Sequence, residues 1–349
     1  FSKKDMRYNE FKARTIVNQC LSDVDVLGQF DFETCLISLD KLRDFDTKNF
    51  DHSLLSELQG PSTNTLLISP ERYEYAKKVL PLAIHEYAHF IDATSTAWGL
   101  NHLSLMNQAY SCGDNEAEFY KAKRFSEHCT KLRLPKYYTL VENNAEPTRP
   151  WQARVTIGKI FDSKGHISHR PQLFVRFSNF VGQGLARSPL STISILEASA
   201  MAHEIHVSSL LLSRTENDFK LVEQKLFAEE MLNYIYRQDI TEYSACAHLV
   251  ANKHACKDML DTFELCANMA RFALNCSPKA FQKLYNRCPI GKILNIEEKG
   301  DFAKRLKDGL KICDLGVFFY LMNEAMPAGS IGDNARNIAG ICAALQKMG

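Results

Sequence analysis

The strongest constraint on this chain is the stretch Ile84-His85-Glu86-Tyr87-Ala88-His89-Phe90-Ile91-Asp92, where two histidines stand four apart with a glutamate directly after the first. On an α-helix residues i and i+4 share a face, so His85 and His89 can offer imidazole nitrogens to one metal ion. Glu86 sits a step round the helix, placed to take a proton from a metal-bound water without being a ligand, which is the division of roles a hydrolytic zinc site needs. Ordinary His and Glu frequencies give roughly 0.02 accidental H-E-x-x-H matches in a chain of this length. The competing reading is a surface helix with two unrelated histidines. The flanks argue against it: Val79-Leu80-Pro81-Leu82-Ala83-Ile84 leads in, and Ala88, Phe90, Ile91 and Ala93 continue an apolar, helix-compatible run. Pro81 is expected in a first turn.

Composition removes several function classes. The 349 residues, 45% hydrophobic and 24% charged, can bury a sizeable core and suit an ordinary soluble globular protein of one large domain or two. Lys plus Arg total 42 against 41 for Asp plus Glu, so no global field draws the chain to nucleic acid or to an anionic membrane, and neither is an expected partner. No apolar run of about 18 residues is present to span a bilayer, and Phe1-Ser2-Lys3-Lys4-Asp5 is not followed by a signal-peptide apolar core. The eleven cysteines are odd in number and none forms a C-x-x-C pair. They read as free thiols in a reducing cytoplasm, which is the expected location.

Periodicity predicts a first helix over residues 5–21, a strand over 32–39 and a second strand at Asn64-Thr65-Leu66-Leu67-Ile68-Ser69, between Pro61 and Pro70. A helix starting near Pro70 then runs into the metal motif, with the strand at 64–69 expected as its floor. Small and hydroxyl residues from Ala93 to Gly99 predict an end or a bend, and helices follow over 101–110 and 115–132. Pro135, Pro147 and Pro150 mark a boundary. Beyond it, 151–161 and 172–177 alternate like strands and predict a hairpin turning at Asp162-Ser163-Lys164-Gly165, after which Gly182, Gly184 and Pro189 predict a flexible connection. From Leu190 onward the pattern is helical, over 190–213, 216–237, 241–254, 257–274, 278–285, 298–312, 315–323 and 333–347. The expected fold is α+β and mainly helical, in three parts. Residues 1–135 carry the motif helix, 136–214 the hairpin and a third-ligand helix, and 215–349 a helical C-terminal region.

A metal held by two histidines needs a third protein ligand, and a catalytic site keeps one position open. Glu197 is the prime candidate because Ala198, Ser199, Ala200 and Ala202 surround it. Small neighbours let its helix approach closely enough for a carboxylate to reach within about 2.2 Å of the ion. Taken alone, Glu197 reads as a solvated helix-face charge. One competitor is Glu116, in Asn115-Glu116-Ala117-Glu118, at a place where acidic residues favour a first helical turn for dipole reasons. Another is the cluster His203, Glu204 and His206, whose spacing is not H-E-x-x-H and whose histidines suit supporting or packing positions. Asp92, three residues after His89, is a candidate acceptor to orient that histidine, against a reading as an ordinary helix-end carboxylate.

One internal echo offers an alternative. Glu197-Ala-Ser-Ala-Met-Ala-His203 recurs as Glu242-Tyr-Ser-Ala-Cys-Ala-His248. If both helices faced the His85 helix, Glu197, Glu242, His203 and His248 would supply a dinuclear iron carboxylate site in a helical bundle, with Glu86-x-x-His89 as one of its elements. The plainer reading is that small residues recur where helices cross. An oxidoreductase with iron as cofactor is the function this echo would imply.

Within a core of roughly 64–213, His85, Glu86, His89 and Glu197 resemble the zincin metallopeptidases, particularly the gluzincins, in which H-E-x-x-H is completed by a glutamate on a later helix. The resemblance implies one zinc ion per chain on His85, His89 and Glu197, water activation by Glu86, and a peptide or protein substrate aligned by an edge strand. Gln172 to Phe177 is the expected strand. Tyr243, Arg187 and Arg176 are candidate donors to the oxyanion that develops during hydrolysis. The chain departs from the gluzincin pattern in the long interval between His89 and Glu197 and in lacking an Asn-Glu-x-x-Ser-Asp setting. The expectation is a cytoplasmic zinc metallopeptidase under the control of a regulatory protein partner. A zincin-like scaffold that only binds protein is a third reading.

Overall fold

A computed structural model describes residues 28–39, 42–59, 67–113, 116–142, 145–161 and 165–349. The helix expected over 5–21, residues 64–66 of the second expected strand and residues 162–164 of the expected turn lie outside them. The described chain is mainly helical with small sheets. It opens with β1 (Gln29–Asp31) and β2 (Leu36–Ser38), paired antiparallel with Phe30 opposite Ile37. The single strand expected over 32–39 is therefore corrected to a hairpin. Asp31 makes the turn: its carboxylate accepts from Glu33 N at 2.8 Å and its carbonyl from Cys35 N at 2.7 Å, with Cys35 left-handed at φ 56°.

Two short helices, α1 (Asp44–Lys48) and α2 (Ser53–Gln59), precede the 26-residue α3 (Pro70–Ser95). Ser69 caps α3, accepting from Arg72 N, and Pro70 occupies its first turn. Pro81 lies buried in the interior of α3 rather than in a first turn. Its ring removes one backbone hydrogen bond, a local cost set against the burial of Val79 and Leu80 in the same helix. No strand forms at 67–69; Ile68 makes an isolated parallel bridge to Thr215, with Ile68 N donating to Arg214 O at 2.7 Å.

Three successive hydroxyls end α3. Thr94, Ser95 and Thr96 each donate to the carbonyl four residues back, at 2.7, 2.6 and 2.6 Å. Thr96 then caps α4 (Ala97–Tyr110) by accepting from Gly99 N at 3.0 Å. A Cβ on residue 99 would overlap the Ala93 and Asp92 carbonyl oxygens, so the corner between the two helices admits only glycine. Beyond it lie a 3₁₀ turn at Glu116–Glu118 and the amphipathic α5 (Phe119–Leu132).

A four-stranded antiparallel sheet follows, in the order β3 (Leu140–Val141), β6 (Gly184–Pro189), β5 (Gln172–Ser178), β4 (Gln152–Gly158). The hairpin of β4 and β5 agrees with the sequence. The flexible connection expected at Gly182 to Pro189 does not: most of it is β6, whose Leu185 and Ala186 are buried. Because β6 pairs with β5, residues 172–177 lie inside the sheet and present no free edge.

The centre of the fold is α6 (Thr192–Ser213), buried all round from Ile193 to Ala202, with α3 and α9 (Met259–Leu274) as its most extensive partners. Between and after them come α7 (Asn217–Ile235), α8 (Thr241–His254), α10 (Pro278–Arg287), α11 (Ile290–Leu294), α12 (Asp301–Lys311), α13 (Leu315–Ala325) and α14 (Asn334–Met348). Side chains of Asp258, Ser277, Asp314 and Asp333 cap α9, α10, α13 and α14, which fixes where those helices begin. One hydrophobic core runs from Phe30 to Met348 and draws on all three stretches of sequence. Among the described residues no helix is long and apolar enough to cross a membrane.

The corner between α3 and α4 yields a test. Gly99→Ala is expected to lower stability by about 1–3 kcal/mol, because the methyl meets backbone and cannot be accommodated by a rotamer change. Urea denaturation of the variant beside wild type measures it.

Candidate metal centre

His85 and His89 stand one turn apart on α3, and both are buried. Glu197 reaches them from α6 because Ala198, Ser199, Ala200 and Ala202 allow the two helices to lie close. Glu197 Oε2 is 3.2 Å from His85 Nε2 and 3.4 Å from His89 Nε2. One ligand atom from each residue falls within 4.8 Å of the other two, so this buried group could hold a metal ion. Among the described residues it is the one such group.

The surroundings suit a cation. His85 has carboxylates at both ring nitrogens, with Glu204 Oε2 2.8 Å from Nδ1. A neutral ring donates from one nitrogen only, so without a metal His85 must be protonated to satisfy both. Burial opposes that charge, but the hydrogen bonds to Glu197 and Glu204 outweigh it and raise the His85 pKa well above its ordinary value. A divalent ion held by His85 would take the place of that proton, and Nδ1–H would then donate to Glu204, the arrangement that orients histidine ligands elsewhere. Burial likewise pushes the Glu197 pKa up, yet His89 and His85 hold it below the carboxylate range, ionised as a ligand must be. Glu204 follows Glu197 by seven residues, two helical turns along α6, and that spacing was the available signal for its role.

Glu86 is buried beside the triad without joining it. Burial raises its pKa, opposed by His85 and His89 and by a hydrogen bond from the Phe30 backbone N–H of β1. Gly28 is also close: a Cβ there would sit 3.0 Å from Glu86 Cγ and 2.9 Å from Leu39 Cδ2. The strand lying over the motif helix is therefore β1, which periodicity had not identified. Its turn is tied down by a histidine pair that sequence reasoning missed. His102 Nε2 lies 2.6 Å from Phe32 O, which can only accept, so His102 Nδ1 accepts in turn from His128 Nε2 at 3.1 Å.

These elements line a cleft that opens to solvent. Phe30, Phe32, Leu132 and Ile193 give it apolar walls, and Arg133 and Tyr243 stand opposite Glu86 as polar ones. The Phe30 ring stacks 6.4 Å from His89 and the Phe32 ring meets it edge-on at 5.8 Å. Arg133 Nη2 donates to the Tyr243 hydroxyl at 3.4 Å and lies 3.7 Å from Glu197 Oε1. Burial disfavours the guanidinium charge, but Glu242, Tyr243 and Glu197 more than restore it. Arg133 is a further site residue, and no periodicity around it marks that role.

The other expected residues are dispersed. Asp92 does not orient His89: its carboxylate interacts with Ser199, and neither Asp92 Oδ2 nor His89 Nδ1 has a hydrogen-bond partner among the described residues. The flanking phenylalanine rings hold His89 instead. His203 is exposed, near Asp92 and Arg271. Glu116 is exposed on its 3₁₀ turn. Glu242 pairs with Arg133, its Oε2 3.3 Å from Nε. His248 is a core residue, stacked 5.5 Å from Trp151 with Nε2 3.2 Å from Ile235 O. Glu242, His203 and His248 thus do not assemble with His85 and His89 into a second ligand set. Of the candidate oxyanion donors, Tyr243 faces the cleft, whereas Arg187 covers the Phe174 ring and Arg176 reaches toward Glu142, both on the sheet. No family model, curated protein or solved structure matches this chain.

The placement of His248 predicts a pH dependence. Burial depresses its pKa from 6.5 to about 4, so the folded chain keeps it neutral while the unfolded chain protonates near pH 6.5. The stability it contributes is present above pH 6.5 and is lost as pH falls toward 4, at about 1.4 kcal/mol per pH unit. His248→Phe keeps a ring on Trp151 and is expected to remove that slope between pH 6 and 4.5, as read by denaturation at several pH values.

Proposed function

We propose that this chain is a zinc-dependent metallopeptidase with a zincin-like core, in which His85, His89 and Glu197 bind one zinc ion and Glu86 is the general base. The observation that carries the reading is the convergence of both motif histidines and a distant glutamate in one buried group, with the motif glutamate beside it and facing a cleft. When bound, zinc supplies a Lewis acid and acidifies its water toward about pH 7. Glu86 would take a proton from the attacking water and pass it to the leaving amine, and its raised pKa suits both transfers. Glu204 keeps the His85 ring oriented, with Nε2 toward the ion. Phe30, Phe32 and Leu132 exclude bulk water, which strengthens each charge interaction in the cleft. Tyr243 donates from its hydroxyl to the developing oxyanion, and burial keeps that hydroxyl protonated.

The substrate of this reading is a peptide or protein, and β1 replaces residues 172–177 as the strand that aligns it. The Phe30 backbone N–H meets the Glu86 carboxylate, so the backbone beside the reacting atoms belongs to β1. Control by a protein partner remains part of the proposal, and the long helical region after α6 is the surface available for it. The scattered positions of Glu242, His203 and His248 leave the dinuclear iron alternative without a second set of ligands.

Glu86→Gln is expected to retain one zinc per chain and to lose peptide hydrolysis by at least about 10²-fold, the scale of general-base catalysis. His85→Ala is expected to lose both. Metal content by mass spectrometry and cleavage of a peptide library test the pair. Undiminished hydrolysis by Glu86→Gln would sink the mechanism, two irons per chain would favour the bundle oxidoreductase, and a folded chain that binds no metal would favour a protein-binding scaffold.

A further inference from the structure

The two echoed segments, Glu197 to His203 and Glu242 to His248, lie on α6 and α8, which pack together. Ala198, Ala200, Ala245 and Ala247 are buried at this region, and Cys246 Sγ comes 3.4 Å from Ser194 O. The segments' histidines diverge, one to the surface and one into the core beside Trp151. Their glutamates converge on a single guanidinium. Arg133 Nη2 is 3.7 Å from Glu197 Oε1, and Arg133 Nε is 3.3 Å from Glu242 Oε2. Glu197 therefore divides its carboxylate, with Oε2 toward the two histidines and Oε1 toward Arg133. Glu242 is itself held by the Ser191 hydroxyl, which donates to its Oε1 at 3.3 Å.

We infer that Arg133 is a positioning residue for metal binding: held by Glu242, it engages the second oxygen of Glu197 and leaves the first free for the ion. The inference rests on the metal centre proposed above. The echoed segment then has two jobs, a ligand in its first copy and the support of that ligand's arginine in its second. Guanidinium suits the role because it is planar, permanently charged and weakly hydrated, so it can sit between two buried carboxylates where lysine would remain a point charge. Groups that orient a metal ligand typically carry a 10–100-fold share of metal affinity. Two other roles would give different results. Arg133 could merely neutralise buried carboxylates, which supports folding alone, or Glu242 could be a ligand to a second ion.

The experiment compares wild type, Glu242→Gln, Arg133→Met and Arg133→Met/Glu242→Gln. Zinc affinity is read by competition with a chromogenic chelator, alongside zinc stoichiometry and melting of the metal-free chain. Glu242→Gln, whose side chain does not reach the ion, is expected to weaken zinc about 10–100-fold with one site retained. The double variant removes the charge pair together, so it is the one to rely on if Arg133→Met does not fold. It is expected to bind zinc at least as weakly as Glu242→Gln, and within about twofold of Arg133→Met where that variant folds. Zinc affinity within about twofold of wild type in both Glu242→Gln and the double variant, with only melting lowered, would overturn the inference. So would a stoichiometry of two in wild type that falls to one in Glu242→Gln. A wild type that binds no metal overturns the metal centre and the inference together, whereas one zinc in wild type with unchanged variants overturns the inference alone.

Discussion

The candidate metal centre depends on how closely α6 lies against α3. Between Ile193 and Ala202 the only charged side chain is Glu197, and every residue of that stretch is buried. An isolated carboxylate in such a place costs several kcal/mol, so it persists only where opposite charge or donors meet it. The imidazoles of α3 meet one oxygen and Arg133 meets the other. Small residues flank Glu197 on α6, which packs extensively on α3, and the ligand atoms must meet within a few ångströms. Packing and chemistry are here one constraint rather than two.

Charge balance extends that constraint. Glu197 and Glu242 close on a single arginine, Glu86 lines the same cleft, and His85 faces a carboxylate on each side. Without an added cation, protons on His85 and on the buried carboxylates must make up the difference. Each such proton is a weaker solution than a divalent ion, because it serves one pair at a time. The arrangement therefore couples ion binding to folding: whatever occupies the centre binds the native chain and not the unfolded one.

The sequence was most informative where spacing alone carries meaning. H-E-x-x-H placed three residues on one helix, small neighbours singled out Glu197, and 3.6-residue periodicity located most of the C-terminal helices. It was least informative where the partner is far away in sequence. Nothing near Arg133 indicates that two glutamates from later helices will close on it, and nothing near Phe30 indicates a strand over the motif helix. The echo of Glu197 and Glu242 was visible, but its meaning was not, since identical local patterns send His203 to solvent and His248 against Trp151. Pro81 misled for a related reason: local preference puts proline in a first turn, and burial in a long helix overrides it. Residues 172–177 read correctly as a strand and incorrectly as an edge, because β6 was hidden under glycines and a proline that suggest a loop.

The bridge between Ile68 and Thr215 joins the chain two residues before α3 to the chain two residues after α6. The two helices run antiparallel, and Tyr73, Leu80, Leu211 and Leu212 fill one apolar cluster next to that bridge. His85 lies about 22 Å along α3 from its start and Glu197 about 24 Å back along α6 from its end, at 1.5 Å per residue. Sliding either helix by one residue would move ligand against ligand by about 1.5 Å, many times the tolerance of a metal bond. The bridge thus works as a vernier stop: a single backbone contact at one end of a helix pair marks the longitudinal register that brings His85, His89 and Glu197 together at the other end.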